Sequence, residues 1–97
     1  MMTIEAAGEG VVAVAGRLDA AQAPAAEVFL NGVQGTVTLD ASRLDYISSA
    51  GLGVLLKTQK RLAGSGGKLR LRGLSKPVRD VFAYSGFDQI FEIEPAA

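Results

Sequence analysis

The chain has 97 residues, ten of them basic and ten acidic, with 48% hydrophobic and 21% charged positions. A globular chain of this size forms one domain around one core, hiding roughly 64% of its unfolded surface as about 14,600 Å² shrinks to about 5,300 Å². It contains no Cys and no His, which excludes disulfides, thiolate nucleophiles, zinc ribbons, Ser-His-Asp triads and histidine metal sites. Net charge is zero, so no global field draws the molecule to nucleic acid or to a membrane.

The first ten residues, MMTIEAAGEG, have neither the basic nor the apolar region of a signal peptide. The longest uncharged runs, Val28–Leu39 and Tyr46–Leu56, hold twelve and eleven residues. A membrane span needs about 18, so a cytoplasmic protein without membrane insertion is expected, and the simplicity of the chain points to a bacterial source.

Thr3–Ala7 and Val11–Gly16 are short β-type runs separated by Gly8-Glu9-Gly10, which predicts a hairpin. An alanine-rich stretch to Leu30 follows, with Asp19 as candidate start cap and Gly32 as candidate end. Pro24 fits only a helix's first turn, which moves the start toward Ala23. Thr36–Leu39 alternates as a strand ending near Asp40, and a loop is expected through Ser48. From Ser49, Leu52, Leu55, Leu56 and Leu62 share a helical stripe with Gln59, running to about Ala63 before Gly64-Ser65-Gly66-Gly67. Lys68–Arg72 alternates as a half-exposed strand, and Ser75 opens a helix ending at Gly86 with Val78, Val81 and Phe82 inward. Phe87, Ile90, Phe91 and Ile93 are expected to close the chain against the core, and Phe29 to join it. Only Glu94–Ala97 reads as a tail.

The order β-β-α-β-α-β-α-β implies an α/β fold: a small mixed sheet of about four to five strands, with parallel pairing where helices intervene and helices packed on it through right-handed crossovers. One domain covers residues 1–97.

Asp45-Tyr46-Ile47-Ser48-Ser49-Ala50-Gly51-Leu52-Gly53 is the strongest local signal. It puts two serines where an amphipathic helix begins. Serine there is either an N-cap or, because helix N-termini favour anions, a place where a phosphate is tolerated. Both uses are compatible with one hydroxyl. Gly51-Leu52-Gly53 fails as a nucleotide loop, since the next glycine of GxGxxG would fall on Leu56, so no cofactor is expected. No EF-hand pattern is present, and no metal is assigned. Ser49 as an enzymatic nucleophile lacks a base: there is no His, and Lys57 lies about two turns along the helix. The chain does not read as an enzyme.

Charge is uneven. Residues 1–45 carry six acids and two bases, residues 57–79 eight bases and no acid, and residues 80–97 four acids. The basic stretch is either a solvated surface or a patch for an acidic protein partner; without interleaved aromatics it does not suit nucleic acid. Asp40 is expected to accept loop N–H bonds near the helix start.

VTLDASRLDYISSAGLGVLLKTQKRL and GGKLRLRGLSKPVRDVFAYSGFDQIFEI, together with GRLDA at Gly16–Ala20, resemble the STAS domain, and within it the bacterial anti-sigma factor antagonists. The resemblance spans essentially the whole chain. It implies a small sheet with helices packed on it and partner switching. An unphosphorylated antagonist binds a kinase-type anti-sigma factor and frees the sigma factor. The kinase then phosphorylates a serine at the helix start, the antagonist lets go, and a cognate phosphatase resets it. The matching residue is Ser49, with Gly51 and Leu52 matching the motif's glycine and leucine. The motif's frequent Asp before that serine is Ser48 here, a rival site, and the frequent Ser or Thr after it is Ala50. The partner surface implied comprises Asp19, Asp40, Tyr46, Ser48, Ser49, Ala50, Gly51, Leu52 and Gly53. The alternative within the family is an unphosphorylated STAS subunit of a lipid or anion transporter complex.

Overall fold

The computed structural model describes residues 1–94. β1 (Met2–Gly8) and β2 (Val11–Leu18) form the expected antiparallel hairpin. Three further strands then add in parallel: β3 (Thr36–Ile47), β4 (Lys68–Arg72) and β5 (Glu92–Ile93). The sheet order is β1-β2-β3-β4-β5, identical to chain order. Between the strands run α1 (Ala23–Leu30), α2 (Ser49–Gly64) and α3 (Lys76–Ser85). Right-handed crossovers stepping always in one direction leave all three helices on one side of the sheet.

The side chains obey that arrangement. Val12 and Val14 of β2, Val37 and Leu39 of β3, and Leu69 and Leu71 of β4 are buried under the helices. The helices answer with Ala26 and Leu30 from α1, Leu52, Leu55 and Leu62 from α2, and Val78 and Phe82 from α3. The whole exposes 5370 Å², close to the area expected for its size. On the stripe of α2, Gln59 is not an interruption: its Oε1 accepts from the Leu69 backbone N–H at 2.7 Å, tying the helix to the start of β4. Arg61 does the same for α1, donating from Nη2 to the carbonyls of Leu30 and Val33 at 2.8 Å each. Those are carbonyls of the last turn of α1 and just beyond it, which have no partner inside the helix.

Several sequence expectations are corrected. β3 does not end near Asp40; it runs to Ile47, and the loop predicted there is strand. Beside β2 the register slips between Ala13/Ala15 and Gly16/Arg17, so β3 carries extra residues and its inward positions become Ala41, Leu44 and Ile47. A spacing of three hides a strand from a test for alternation. Asp19 does not cap α1: its Oδ1 accepts from Gln22 N–H in the turn before the helix. Gly32 is no left-handed end either, since α1 runs into Asn31 with right-handed geometry. Ser75 stands at the N-cap of α3 without a side-chain bond to it. Gly86 does end α3 in the left-handed conformation, φ 76°. The chain then makes a 3₁₀ turn over Phe87–Gln89. That turn brings Phe87 and Phe91 onto one side and leaves Ile90 exposed, against expectation. Phe29 and Phe87 are half-buried against the core, while Phe82 and Phe91 lie inside it.

The other sheet face is bare, which is unusual for parallel strands. Small residues (Ala13, Ala15, Thr38) and an ion-pair lattice cover it: Arg72 to Asp40 at 3.2 Å, Lys68 to Glu92 at 2.7 Å, Arg70 to Glu92 and Glu94. Lys57 pairs with Glu27 and Lys76 with Asp80. The basic stretch 57–79 is therefore mostly neutralised in place, and among the described residues only Lys60 and Arg79 of its eight cations make neither an ion pair nor a carbonyl bond.

Asp40 is held below the usual carboxylate range, first by the Ser42 backbone N–H and hydroxyl, then by Arg72. Glu92 is lowered too, first by its hydrogen bond from Lys68 and then by Arg70. A lowered folded value means the stabilisation is complete above the unfolded pKa, about 3.9 for Asp and 4.3 for Glu, and disappears as pH falls through the folded value. The thermal midpoint is expected to fall as pH drops below about 4, with Asp40→Asn removing part of that fall; identical pH profiles for both proteins would contradict the assignment.

Candidate functional site

The carboxyl ends of β2 and β3 meet the start of α2, and in open α/β sheets this edge is the usual place for function. The Leu18 carbonyl holds the junction. It accepts from the Ser48 backbone N–H at 3.0 Å and from Ser48 Oγ at 3.4 Å. Ser48 is also the N-cap of α2: its backbone is extended, φ −94° and ψ 173°, and its Oγ accepts from Gly51 N–H at 3.3 Å. Ser49 is the first residue of the helix; it is exposed, and its hydroxyl makes no hydrogen bond among the described residues. The two uses open to a serine here are thus divided. Ser48, half-buried, is engaged in structure, and Ser49 presents a free hydroxyl. Ser48→Ala is expected to cost about 1 kcal/mol, lowering the thermal midpoint by roughly 4–8 °C, while Ser49→Ala shifts stability by no more than about 0.5 kcal/mol. Equal shifts in thermal unfolding would contradict this division.

The neighbours fall into three groups. Gly51 and Leu52 are buried and shape the site through packing. A Cβ on Gly51 would lie 2.7 Å from the Leu18 carbonyl oxygen and 2.9 Å from Ile47 Cγ1, so only glycine lets α2 start this close to β2. Ala50 and Gly53 face outward and line a cleft between α1 and α2. Asp19 and Tyr46 sit with Ser48 at the sheet edge. Tyr46 carries Arg17 stacked on its ring, 4.2 Å from guanidinium carbon to centroid, and Arg17 Nε lies 4.0 Å from Asp19. Arg17 was not among the residues picked from sequence; the signal would have been the pairing of Arg17 with Tyr46 across β2 and β3, which only the register reveals. Asp40 is placed elsewhere. It lies seven residues before Ile47 on β3, roughly 20 Å along the strand, bound to Ser42 and Arg72 on the bare face. It makes no bond near the helix start, because the chain there is strand and not loop.

The charged groups of this edge are few and exposed, and among the described residues no cluster of acids is arranged to hold a metal ion. No helix among them is long and apolar enough to cross a membrane. What the edge offers is a hydroxyl on a rigid helix start, flanked by an aromatic–guanidinium platform and a shallow cleft. Residues 2–93 match a family model described as Mlab, STAS domain. The chain belongs to the STAS domain family. Among named STAS-type relatives, a Bordetella bronchiseptica protein, provisionally named anti-sigma factor antagonist BtrV, is 53% identical over 57 residues, which is 59% of this chain and 49% of that protein. The chain thus spans about half the length of the curated relative it matches.

Solved structures carry the same fold. An anti-sigma factor antagonist from Mycobacterium paratuberculosis superposes with a TM-score of 0.84 at 25% identity, over 99% of this chain and 87% of that one. The Bacillus cell fate determinant SpoIIAA in its phosphorylated form gives 0.69 at 22% identity, over 98% and 92%. The expected STAS architecture, a small mixed sheet with helices packed on it, is the one found here.

Proposed function

We propose that this STAS domain is an anti-sigma factor antagonist that acts by partner switching, with Ser49 as its phosphorylated residue. The observation that carries the reading is the separation of the two serines. Ser48 cannot take a phosphoryl group without losing the Gly51 cap and its place beside the Leu18 carbonyl. Ser49 can, and a phosphate at the first helical position meets the positive end of the α2 dipole instead of unwinding the helix. The names of BtrV and of the mycobacterial structure, and the phosphorylated state of SpoIIAA, support it.

In this mechanism the unmodified edge, with Tyr46, Ser49 and Ala50 outermost, docks on a serine-kinase anti-sigma factor in the cytoplasm. Phosphorylation adds close to two negative charges at the centre of that contact. Burying them without a counter-ion reverses binding, and a phosphatase restores it. The chain itself performs no catalysis.

The test is capture from ATP-depleted source-organism lysate, using wild-type, Ser49→Ala and Ser49→Asp baits, with phosphate mapped on the wild type after ATP is added back. A kinase-type anti-sigma factor is expected on wild type and Ser49→Ala, with Ser49→Asp weakened at least tenfold, about 1.4 kcal/mol. Equal recovery of one partner by all three baits, with both serines unmodified, would sink the switch; a permease or membrane ATPase as that partner would make the chain a transporter subunit.

A further inference from the structure

We propose that β1 is the contact edge of a homodimer, in which a second copy adds its own β1 antiparallel about a two-fold axis through Ile4. This surface lies apart from the start of α2 and does not depend on the partner reading above.

The two edges of the sheet are built differently. β5 is two residues long, and its Glu92 is engaged by Lys68 and Arg70, so that edge is short and charged. β1 is seven residues long and carries one charged side chain, Glu5, with no Lys and no Pro. Its bulge falls between Ala6 and Gly8, which leaves Met2–Ala6 regular.

One bond fixes where the backbone groups of β1 point. The Arg17 N–H donates to the Met1 carbonyl at 3.0 Å, one step beyond the Met2–Gly16 pair in the register with β2. Facing residues of an antiparallel pair are bonded at every second position, so Thr3 and Glu5 also turn their backbone groups toward β2. Those of Met2, Ile4 and Ala6 therefore point outward, where among the described residues no strand of this chain meets them.

The register between copies follows from symmetry and charge. A two-fold axis perpendicular to the sheet must pass through a residue, because only then do facing side chains share a side. On Ile4 it yields about six main-chain hydrogen bonds, joining Ile4 to the partner's Ile4 and Met2 to the partner's Ala6 in both directions. Glu5 then faces the partner's Thr3. An axis on Glu5 would set two carboxylates opposite each other, which destabilises a pair, and one on Thr3 would keep only about four bonds. The helix side of the edge fits the same register. Met2 and Ile4 are half-buried there, and Ala6 borders an apolar hollow of about 220 Å³, lined also by Val12, Phe29, Val33 and Val37. The partner's Met2, facing Ala6, is an unbranched and adaptable side chain suited to filling it. Antiparallel pairing also points the two Ser49 edges in opposite directions, so both stay open.

Sedimentation velocity on the full, cysteine-free chain tests the contact. Five residues a side bury less than the roughly 1,200 Å² of a stable complex, so a reversible dimer is expected, growing as concentration rises toward about 1 mM. Ala6→Pro removes an outward N–H without costing a bond to β2. It is expected to weaken the dimer at least tenfold while the thermal midpoint of the dilute protein stays level. Ile4→Cys faces its own copy across the axis and should give a disulfide-linked dimer under mild oxidation. Ile93→Cys, equally half-buried on the other edge, should not. A monomer at every concentration overturns the proposal. So does a dimer that Ala6→Pro leaves intact, or linking through Ile93→Cys as fast as through Ile4→Cys.

Discussion

Gly51→Ala is expected to lower the thermal midpoint by roughly 8–16 °C, the equivalent of about 2 kcal/mol in a domain of this size. Helix propensity alone predicts the opposite sign, since alanine is favoured over glycine by up to about 1 kcal/mol within a helix. The added methyl, however, would stand 2.7 Å from the Leu18 carbonyl oxygen and 2.8 Å from Leu18 Cγ. The oxygen is backbone and cannot swing aside. It also accepts the Ser48 bonds that fix the start of α2, so relieving the clash pulls the helix off the strand that positions it. Gly53→Ala, with nothing in the way, should instead stabilise by up to about 1 kcal/mol. Thermal unfolding followed by circular dichroism compares the two directly, and shifts of the same sign would refute the account.

Phe82→Ala should cost about 3–5 kcal/mol, a large part of the 5–15 kcal/mol that holds a typical domain together. Phe82 is 1% exposed and meets Phe91 edge to face, with centroids 5.5 Å apart and planes at 82°. Its removal leaves a cavity under α3 and takes away the surface on which the segment before β5 rests. Urea unfolding should show the full loss in the midpoint, with Phe82→Leu recovering most of it. A cost below about 1 kcal/mol for the alanine variant would mean that the C-terminal segment collapses into the space, and that the core is centred nearer α1 and α2.

How far the fold could be read from sequence depended on whether each signal was local. The apolar stripe of α2 and the alternation of Lys68–Arg72 are properties of consecutive residues, and both elements appear where they were expected. β3 beyond Asp40 was missed because its inward residues are spaced by bulges whose cause is the neighbouring strand. Ile90 was misplaced because the 3₁₀ turn resets the helical phase after Gly86. The charge of residues 57–79 was visible, but its neutralisation depends on β3, β4 and β5 lying side by side, which brings Asp40 and Glu92 to Arg72 and Lys68. At the site, the serine pair and the glycines were legible, and the division of labour between Ser48 and Ser49 was not. It turns on a single carbonyl, that of Leu18, thirty residues away in the chain.

A sheet laid down in the same order as its strands occur in the chain has a consequence for assembly on the ribosome. The N-terminal hairpin is complete once Leu18 has emerged, and each later strand docks on the edge left by the one before it. Each strand from β2 onward finds its first partner already made, and each addition closes a loop of only one helix, whose entropic cost grows slowly with its length. Growth from one side keeps the unpaired edge short-lived during synthesis, when exposed strands are most prone to join the wrong neighbour.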